Sequence, residues 1–203
     1  MNFICMYIEN QLAKCKPMVV AIDGRCGSGK TTLAEFLADR FGGRVVHMDD
    51  FFLPPEKRTP ERLAQAGENV EYERILTEVA PFLRNSKMEY RAYDCTKNDY
   101  VSVLLPNQPL TIIEGSYSMH PALRHLYDFK IFCDIDPKEQ EKRIKAREGD
   151  RSQVFFDKWI PLEEKYFAEL DIQNVCDVTY ESGVSYATSY LRKRRLRQKP
   201  KDL

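Results

Sequence analysis

One stretch constrains this chain more than any other: Gly24-Arg25-Cys26-Gly27-Ser28-Gly29-Lys30-Thr31-Thr32. It satisfies G-x-x-x-x-G-K-[ST], the spacing of a loop that wraps nucleotide phosphates. Gly24, Gly27 and Gly29 can take backbone angles closed to residues with a Cβ, so successive N–H groups can turn toward one anion. A helix beginning near Lys30 adds its positive N-terminal end. In such a loop Lys30 reaches the β- and γ-phosphates and the Thr31 hydroxyl holds Mg²⁺. A chance match in a chain of this length has a likelihood on the order of 1%. The flanks agree with the motif. Residues 18–22 are a short apolar run suited to a buried parallel strand, and Leu33, Phe36, Leu37 and Phe41 recur at helical spacing.

The rest of the chain extends the same pattern. Residues 2–14 read as a short helix, 18–23 as a strand and 30–41 as a helix stopped by Gly42-Gly43. Residues 44–48 read as a second buried strand that ends in Asp49-Asp50-Phe51-Phe52, at the end of a strand where open α/β sheets bind ligands. After a loop marked by Pro54-Pro55 and Pro60, a helix is expected over 71–83, with Ile75, Val79 and Phe82 inward and Pro81 disturbing its last turn. Residues 88–105 alternate as a hairpin or a pair of edge strands. Buried strands follow at 110–113, closed by Glu114-Gly115, and at 129–134. Pro137 opens a charged helix to about Arg147, and 152–169 reads as helical around Pro161. Residues 175–180 read as the last strand, before a terminal helix with a basic tail. Strands alternating with helices after a phosphate loop predict a doubly wound, mostly parallel α/β sheet of the P-loop NTPase type. It would form one domain over 1–203, with a small hairpin insertion (88–105) and a helical lid (143–160).

Composition narrows the function classes. Basic and acidic residues balance at 31 each, which argues against a dedicated nucleic-acid binder. The six cysteines form no C-x-x-C pair and no metal-ligand spacing, so they read as free thiols in a reducing cytosol. The apolar start is short and lacks a basic leader, and no apolar run approaches the roughly 18 residues of a membrane span. A cytoplasmic protein with no membrane partner is therefore expected, with a homo-oligomer left open.

Phosphoryl transfer needs, beyond the loop, a metal anchor, a group to deprotonate the acceptor, and cations for the moving charge. Asp49, Asp50 and Glu114 supply carboxylates at two strand ends. Strand alternation puts Asp49 and Asp50 on opposite sides, so one of the two is expected to face the phosphates. Arg143, Arg147 and Arg151 stand at i, i+4 and i+8. This spacing suits a lid closing on phosphates and equally a solvated helix face, and Gly149 interrupts it. Phe52 and Tyr93 are the aromatics beside other site signals.

The chain resembles the uridine kinase-like P-loop kinases, the group of uridine kinase, nicotinamide riboside kinase, pantothenate kinase and phosphoribulokinase. The resemblance runs from about residue 18 to 150. It is carried by Ile22-Asp23-Gly24 through Thr32, then Asp49-Asp50-Phe51-Phe52, Tyr93-Asp94, Glu114-Gly115, and Asp134-Ile135-Asp136 with its arginine helix. It implies an ATP- and Mg²⁺-dependent phosphotransferase acting on a hydroxyl of a small molecule, foremost a nucleoside. The same resemblance makes Asp49 the base, with Lys30 and Arg147 also catalytic, and Gly24 through Thr32 with Arg143 the nucleotide contacts. It puts Thr31 and Glu114 near the metal, and Asp49, Phe52, Glu71, Tyr93, Asn98 and Glu114 near the acceptor. Asn98 departs from the pattern, because uridine kinases carry a histidine there that reads uracil. Nicotinamide riboside, pantothenate and sugar phosphates thus stand as alternative acceptors. A nucleotide switch without a small acceptor is a further alternative, although no N-K-x-D segment is present.

Overall fold

The computed structural model describes residues 1–84 and 86–182. Five strands form one parallel sheet: β1 (Met18–Gly24), β2 (Gly43–His47), β5 (Leu110–Glu114), β6 (Phe129–Asp134) and β7 (Val178–Glu181), in the order β2-β5-β1-β6-β7. The remaining pair, β3 (Met88–Asp94) and β4 (Asp99–Leu105), is an antiparallel hairpin apart from that sheet.

β1 and β5 are buried along their whole lengths, as continuous apolar runs inside a parallel sheet should be. Because successive side chains point to opposite faces, β1 feeds two cores. Val20 and Ile22 pack with Ile4 and Ile8 of α1 (Asn2–Leu12) and with Leu33 and Leu37 of α2 (Lys30–Phe41). Val19 and Ala21 pack on the other face with Val46, Ile75, Tyr117 and Tyr166. Helices thus cover both faces, and the expected doubly wound α/β architecture holds.

Three local expectations are corrected. The second strand stops at His47, and Met48–Phe51 form a 3-10 turn, so strand alternation does not reach the two aspartates. Residues 71–83 are not one α-helix: Tyr72–Arg74 is followed by a π turn over Ile75–Val79 and a 3-10 turn over Ala80–Phe82. That extra winding leaves Phe82 exposed at 38% and turns Leu83 inward. The last strand is Val178–Glu181, because Ile172–Val175 forms a short helix. The terminal helix and basic tail lie outside the described residues.

The hairpin is clipped to the sheet edge by a buried cation. Arg44 donates to Thr111 Oγ1 at 2.9 Å and to the carbonyl oxygens of Ser86, Pro106 and Phe82. Its guanidinium is satisfied by neutral acceptors alone, and burial lowers its pKa. All six cysteines are free thiols. Among the described residues no helix is long and apolar enough to cross a membrane.

Candidate active site

β1 ends in the glycine loop, and the neighbouring backbone dictates why. A Cβ on Gly24 (φ +137°) would stand 2.0 Å from the Cys133 carbonyl oxygen on β6, so no other residue fits there. Gly27 (φ 74°) and Gly29 (φ 88°) take left-handed angles, and Gly29 caps α2. The Lys30 ammonium folds back over the loop, donating to the Gly24 and Arg25 carbonyls at 2.8 and 3.1 Å. Ser28 is buried, and its hydroxyl has no partner among the described residues.

The parallel register pairs both Ile22 of β1 and His47 of β2 with Glu114 of β5. The three strand ends therefore open on one side, where a cleft of ≈ 1060 Å³ is lined by Cys26, Lys30, Thr31, Asp49, Glu114 and Glu163, among others. Glu114 Oε1 accepts from the Thr31 hydroxyl at 3.1 Å and lies 2.7 Å from His47 Nδ1. That carboxylate raises the pKa of His47. Asp50 is taken up by the Tyr90 hydroxyl of the hairpin at 2.7 Å. Asp49 instead opens to solvent within the cleft. The surrounding protein still desolvates it and raises its pKa, and the charge of Glu114 adds to the rise; Lys30 and His47 oppose it. One aspartate faces the loop, as expected, but a 3-10 turn and a tyrosine select it rather than strand alternation.

The lid side is α3 (Pro137–Glu148), capped by Asp136, whose carboxylate accepts from the Lys138 and Glu139 amides. Arg143 and Arg147 line the cleft. Arg143 donates to the Gly27 carbonyl oxygen at 3.2 Å, and Arg147 Nη2 lies 3.5 Å from Cys26 Sγ. The helix ends at Gly149 (φ 56°), so Arg151 leaves the stripe and its side chain is 84% exposed. The expected lid 143–160 is thus the end of α3 followed by 3-10, α and π turns up to Trp159. Trp159 stands over Phe52 with ring centroids 6.0 Å apart, and both line the cleft.

Other expected positions are placed elsewhere. Arg25 turns its guanidinium away from the cleft to Glu164 and Asp134. Gly27, Gly29 and Thr32 line the cleft, whereas Gly24 and Ser28 shape the loop from beneath it. Glu71, Tyr93 and Asn98 are not on the cleft wall. Glu71 is buried against Lys57, Arg74 and Tyr100. The Tyr93 hydroxyl donates to the side chain of Asn98, which sits at φ 52° in the hairpin turn.

Three further residues shape the site, of which sequence reasoning left Glu163 unmentioned and assigned no role to Asp23 or Tyr117. Glu163, on α4 (Ile160–Glu169), is buried and accepts the Cys26 amide at 3.0 Å and the Ser116 hydroxyl at 2.6 Å. Asp23 is fully buried, accepts from the Gly24 and Met119 amides and the Tyr166 hydroxyl, and is pushed by burial up to about 6. Tyr117 is buried at φ 77°, a strained angle for a residue with a Cβ, and lines the cleft. The -Glu114-Gly115- strand end was the available signal for Tyr117. Glu163 carried none, since it lies far along the chain on a helix with no motif. Among the described residues no group of three or more His, Cys, Asp or Glu side chains is arranged to hold a metal. Thr31 with Glu114 is the oxygen pair available to a hard cation, which would take its other ligands from phosphate and water.

No family model matches the chain. It is 30% identical over 132 residues to a uridine kinase of Geobacillus kaustophilus, covering 60% of this chain and 63% of that protein. It is 26% identical over 117 residues to uridine-cytidine kinase C of Dictyostelium discoideum, covering 56% of this chain and 26% of that protein. A uridine kinase of Bacillus cereus is 28% identical over 147 residues, covering 65% of this chain and 69% of that protein. The first two relatives are thus matched over less than two thirds of their own length. Among solved structures, a possible uridine kinase from Bacillus stearothermophilus superposes with a TM-score of 0.64 at 23% identity, over 88% of this chain and 95% of that one. A candidate fructose transport system kinase from Silicibacter sp. TM1040 gives 0.61 at 21%, over 81% and 90%. At these identities the superpositions show a shared fold.

Proposed function

Since relatives and fold together support a uridine kinase-like P-loop kinase family for this chain, we propose that it transfers a phosphoryl group from ATP to a hydroxyl of a small molecule, in the first instance a nucleoside. The single observation that carries this reading is that Asp49 opens onto the same cleft as the glycine loop, with its pKa raised. A base for a hydroxyl works best when its pKa is lifted toward the operating pH.

The residues present fit the nucleotide and its cation. The loop glycines hold angles that turn amides inward, and the Ser28 hydroxyl beneath the loop has no partner among the described residues. Bound Mg·ATP supplies the phosphoryl group and the cation that offsets its charge. The backbone of Cys26 through Thr32 would bind phosphate, with Lys30 as its point charge. Thr31 and Glu114 would hold the cation, and Arg143 and Arg147 would screen the charge on the lid side. Asp49 would orient the acceptor hydroxyl and take its proton, while Phe52 and Trp159 keep water from that wall.

The test is ADP release from Mg·ATP with and without an acceptor panel of uridine, cytidine, nicotinamide riboside, pantothenate and sugar phosphates. A kinase shows release accelerated by at least about a hundredfold with one acceptor class. Equal release with every acceptor and with none would rule it out.

A further inference from the structure

We propose that Glu163 and Ser116 form a proton-linked relay that frees Lys30 for the nucleotide. When phosphate enters the loop, Glu163 takes up a proton. The Ser116 hydroxyl then turns from Glu163 to the Gly24 carbonyl oxygen that the Lys30 ammonium gives up. The inference rests on the kinase reading above and assigns two positioning residues to the same site.

One helix grips the loop. The Tyr166 hydroxyl of α4 donates to Asp23 at 2.8 Å, and Glu164 accepts from Nε and Nη2 of Arg25 at 2.7 and 3.0 Å. Glu163, beside them, accepts the Cys26 amide through Oε2 at 3.0 Å. Its other oxygen, Oε1, lies 2.6 Å from Oγ of Ser116, which follows the Glu114-Gly115 strand end.

A serine hydroxyl has a single proton to give. Two acceptors stand within its reach, Glu163 Oε1 at 2.6 Å and the Gly24 carbonyl oxygen at 3.3 Å. The ionised carboxylate can only accept, so it takes that proton and leaves the Gly24 oxygen to Lys30 Nζ at 2.8 Å. Lys30 is thereby held on the Gly24 and Arg25 carbonyls. In the protonated acid Oε1 donates to Ser116 Oγ, while Oε2 keeps the Cys26 amide. Ser116 then donates to Gly24, and the departing ammonium leaves no bare carbonyl there, which would be costly in a buried place.

The charges around Glu163 set the direction of the change. Lys30 of α2 stabilises its ionised form, whereas Glu164, paired with Arg25, opposes it. The Cys26 thiol and the Tyr117 phenol also face it, and burial raises the pKa of both, so neither supplies a charge. Beyond them Arg147 reaches Cys26 Sγ at 3.5 Å. A polyanion in the loop disfavours the carboxylate, and drawing Lys30 toward that polyanion removes its nearest cation. Burial has already raised the pKa of Glu163, so both changes push it further in the same direction.

The test is calorimetric titration of Mg·ATP, without acceptor, into the unaltered chain and into Glu163→Gln. Buffers of different ionisation enthalpy give the protons taken up, and the difference between the two proteins removes the ionisation of the nucleotide and of every other group. The unaltered chain should take up about half a proton or more beyond Glu163→Gln at some pH between about 6 and 9. The pKa of Glu163 is higher in the complex than in the free protein. Binding to the unaltered chain is therefore tightest below the free-protein value and weakens as pH rises toward the value in the complex. Glu163→Gln, whose amide donates to Ser116 as the protonated acid does, should lack that dependence. Ser116→Ala removes the replacement for Lys30 at Gly24 and should weaken Mg·ATP about three- to tenfold. Added to Ser116→Ala, Glu163→Gln should tighten binding about threefold at most, since its amide has lost its acceptor. Equal proton uptake by the unaltered chain and Glu163→Gln, or a tightening undiminished by Ser116→Ala, would overturn the relay and leave the kinase reading standing. Binding that shows these linkages in a chain that phosphorylates no acceptor would sink the kinase reading alone, and a chain that binds no Mg·ATP would sink both.

Discussion

The Glu163 carboxylate accepts the backbone amide of Cys26 at 3.0 Å, so a buried acidic side chain already occupies one of the donors of the phosphate loop. Burial raises the pKa of Glu163, and the nearby Lys30 charge opposes that rise. A negative group at this position opposes a polyanion. Glu163→Gln keeps an acceptor for the Cys26 amide and removes the charge. At an effective dielectric of 20, two unit charges 4 Å apart interact by about 4 kcal/mol, and relaxation leaves a fraction of that. ATP should therefore bind about tenfold tighter to Glu163→Gln by calorimetry. Unchanged or weaker binding would make Glu163 a brace that swings aside at no electrostatic cost.

Asp49→Asn should leave the affinity for Mg·ATP within about threefold and lower kcat by roughly a hundredfold or more, the scale of general-base work. The acid limb of the kcat/KM profile should lie above the ordinary carboxylate range, since desolvation and the Glu114 charge both raise the Asp49 pKa. Activity is present above that pKa and lost as pH falls through it. Glu114→Gln removes one cause of the rise, so its residual activity should show the limb at lower pH. A limb that stays in place under Glu114→Gln would detach it from Asp49.

Two loop glycines should respond differently to alanine. Gly24→Ala drives a Cβ to 2.0 Å from a β6 carbonyl oxygen, in the middle of the sheet. It should destabilise by more than about 4 kcal/mol, a large part of the stability of a small domain. Gly29→Ala meets no atom within 4 Å and has only its φ of 88° to bear, a cost of about 1–2 kcal/mol. Urea unfolding of the two variants checks the ordering, and comparable stabilities would remove the steric argument.

The lid arginines should separate as well. Arg147 lines the cleft, whereas the Arg151 side chain is 84% exposed beyond the helix end. Arg147→Ala should lower kcat about tenfold or more, and Arg151→Ala should have a much smaller effect. Steady-state kinetics with the best acceptor of the panel measures both, and equal losses would mean that the segment after Gly149 closes onto the phosphates.

The sequence by itself determined what local chemistry dictates. Glycine spacing specifies backbone angles, so the loop from Gly24 to Thr32 was legible before any fold was known. Apolar runs that end in carboxylates likewise marked β1, β5 and the ends where Asp49 and Glu114 stand. Tertiary structure alone decided which groups meet. A 3-10 turn after His47 and the Tyr90 hydroxyl leave Asp49 rather than Asp50 in the cleft. Glu163 reaches Cys26 across 137 positions of chain. Such contacts between distant segments leave no periodicity or spacing in the sequence, because they depend on how the packed layers lie against one another.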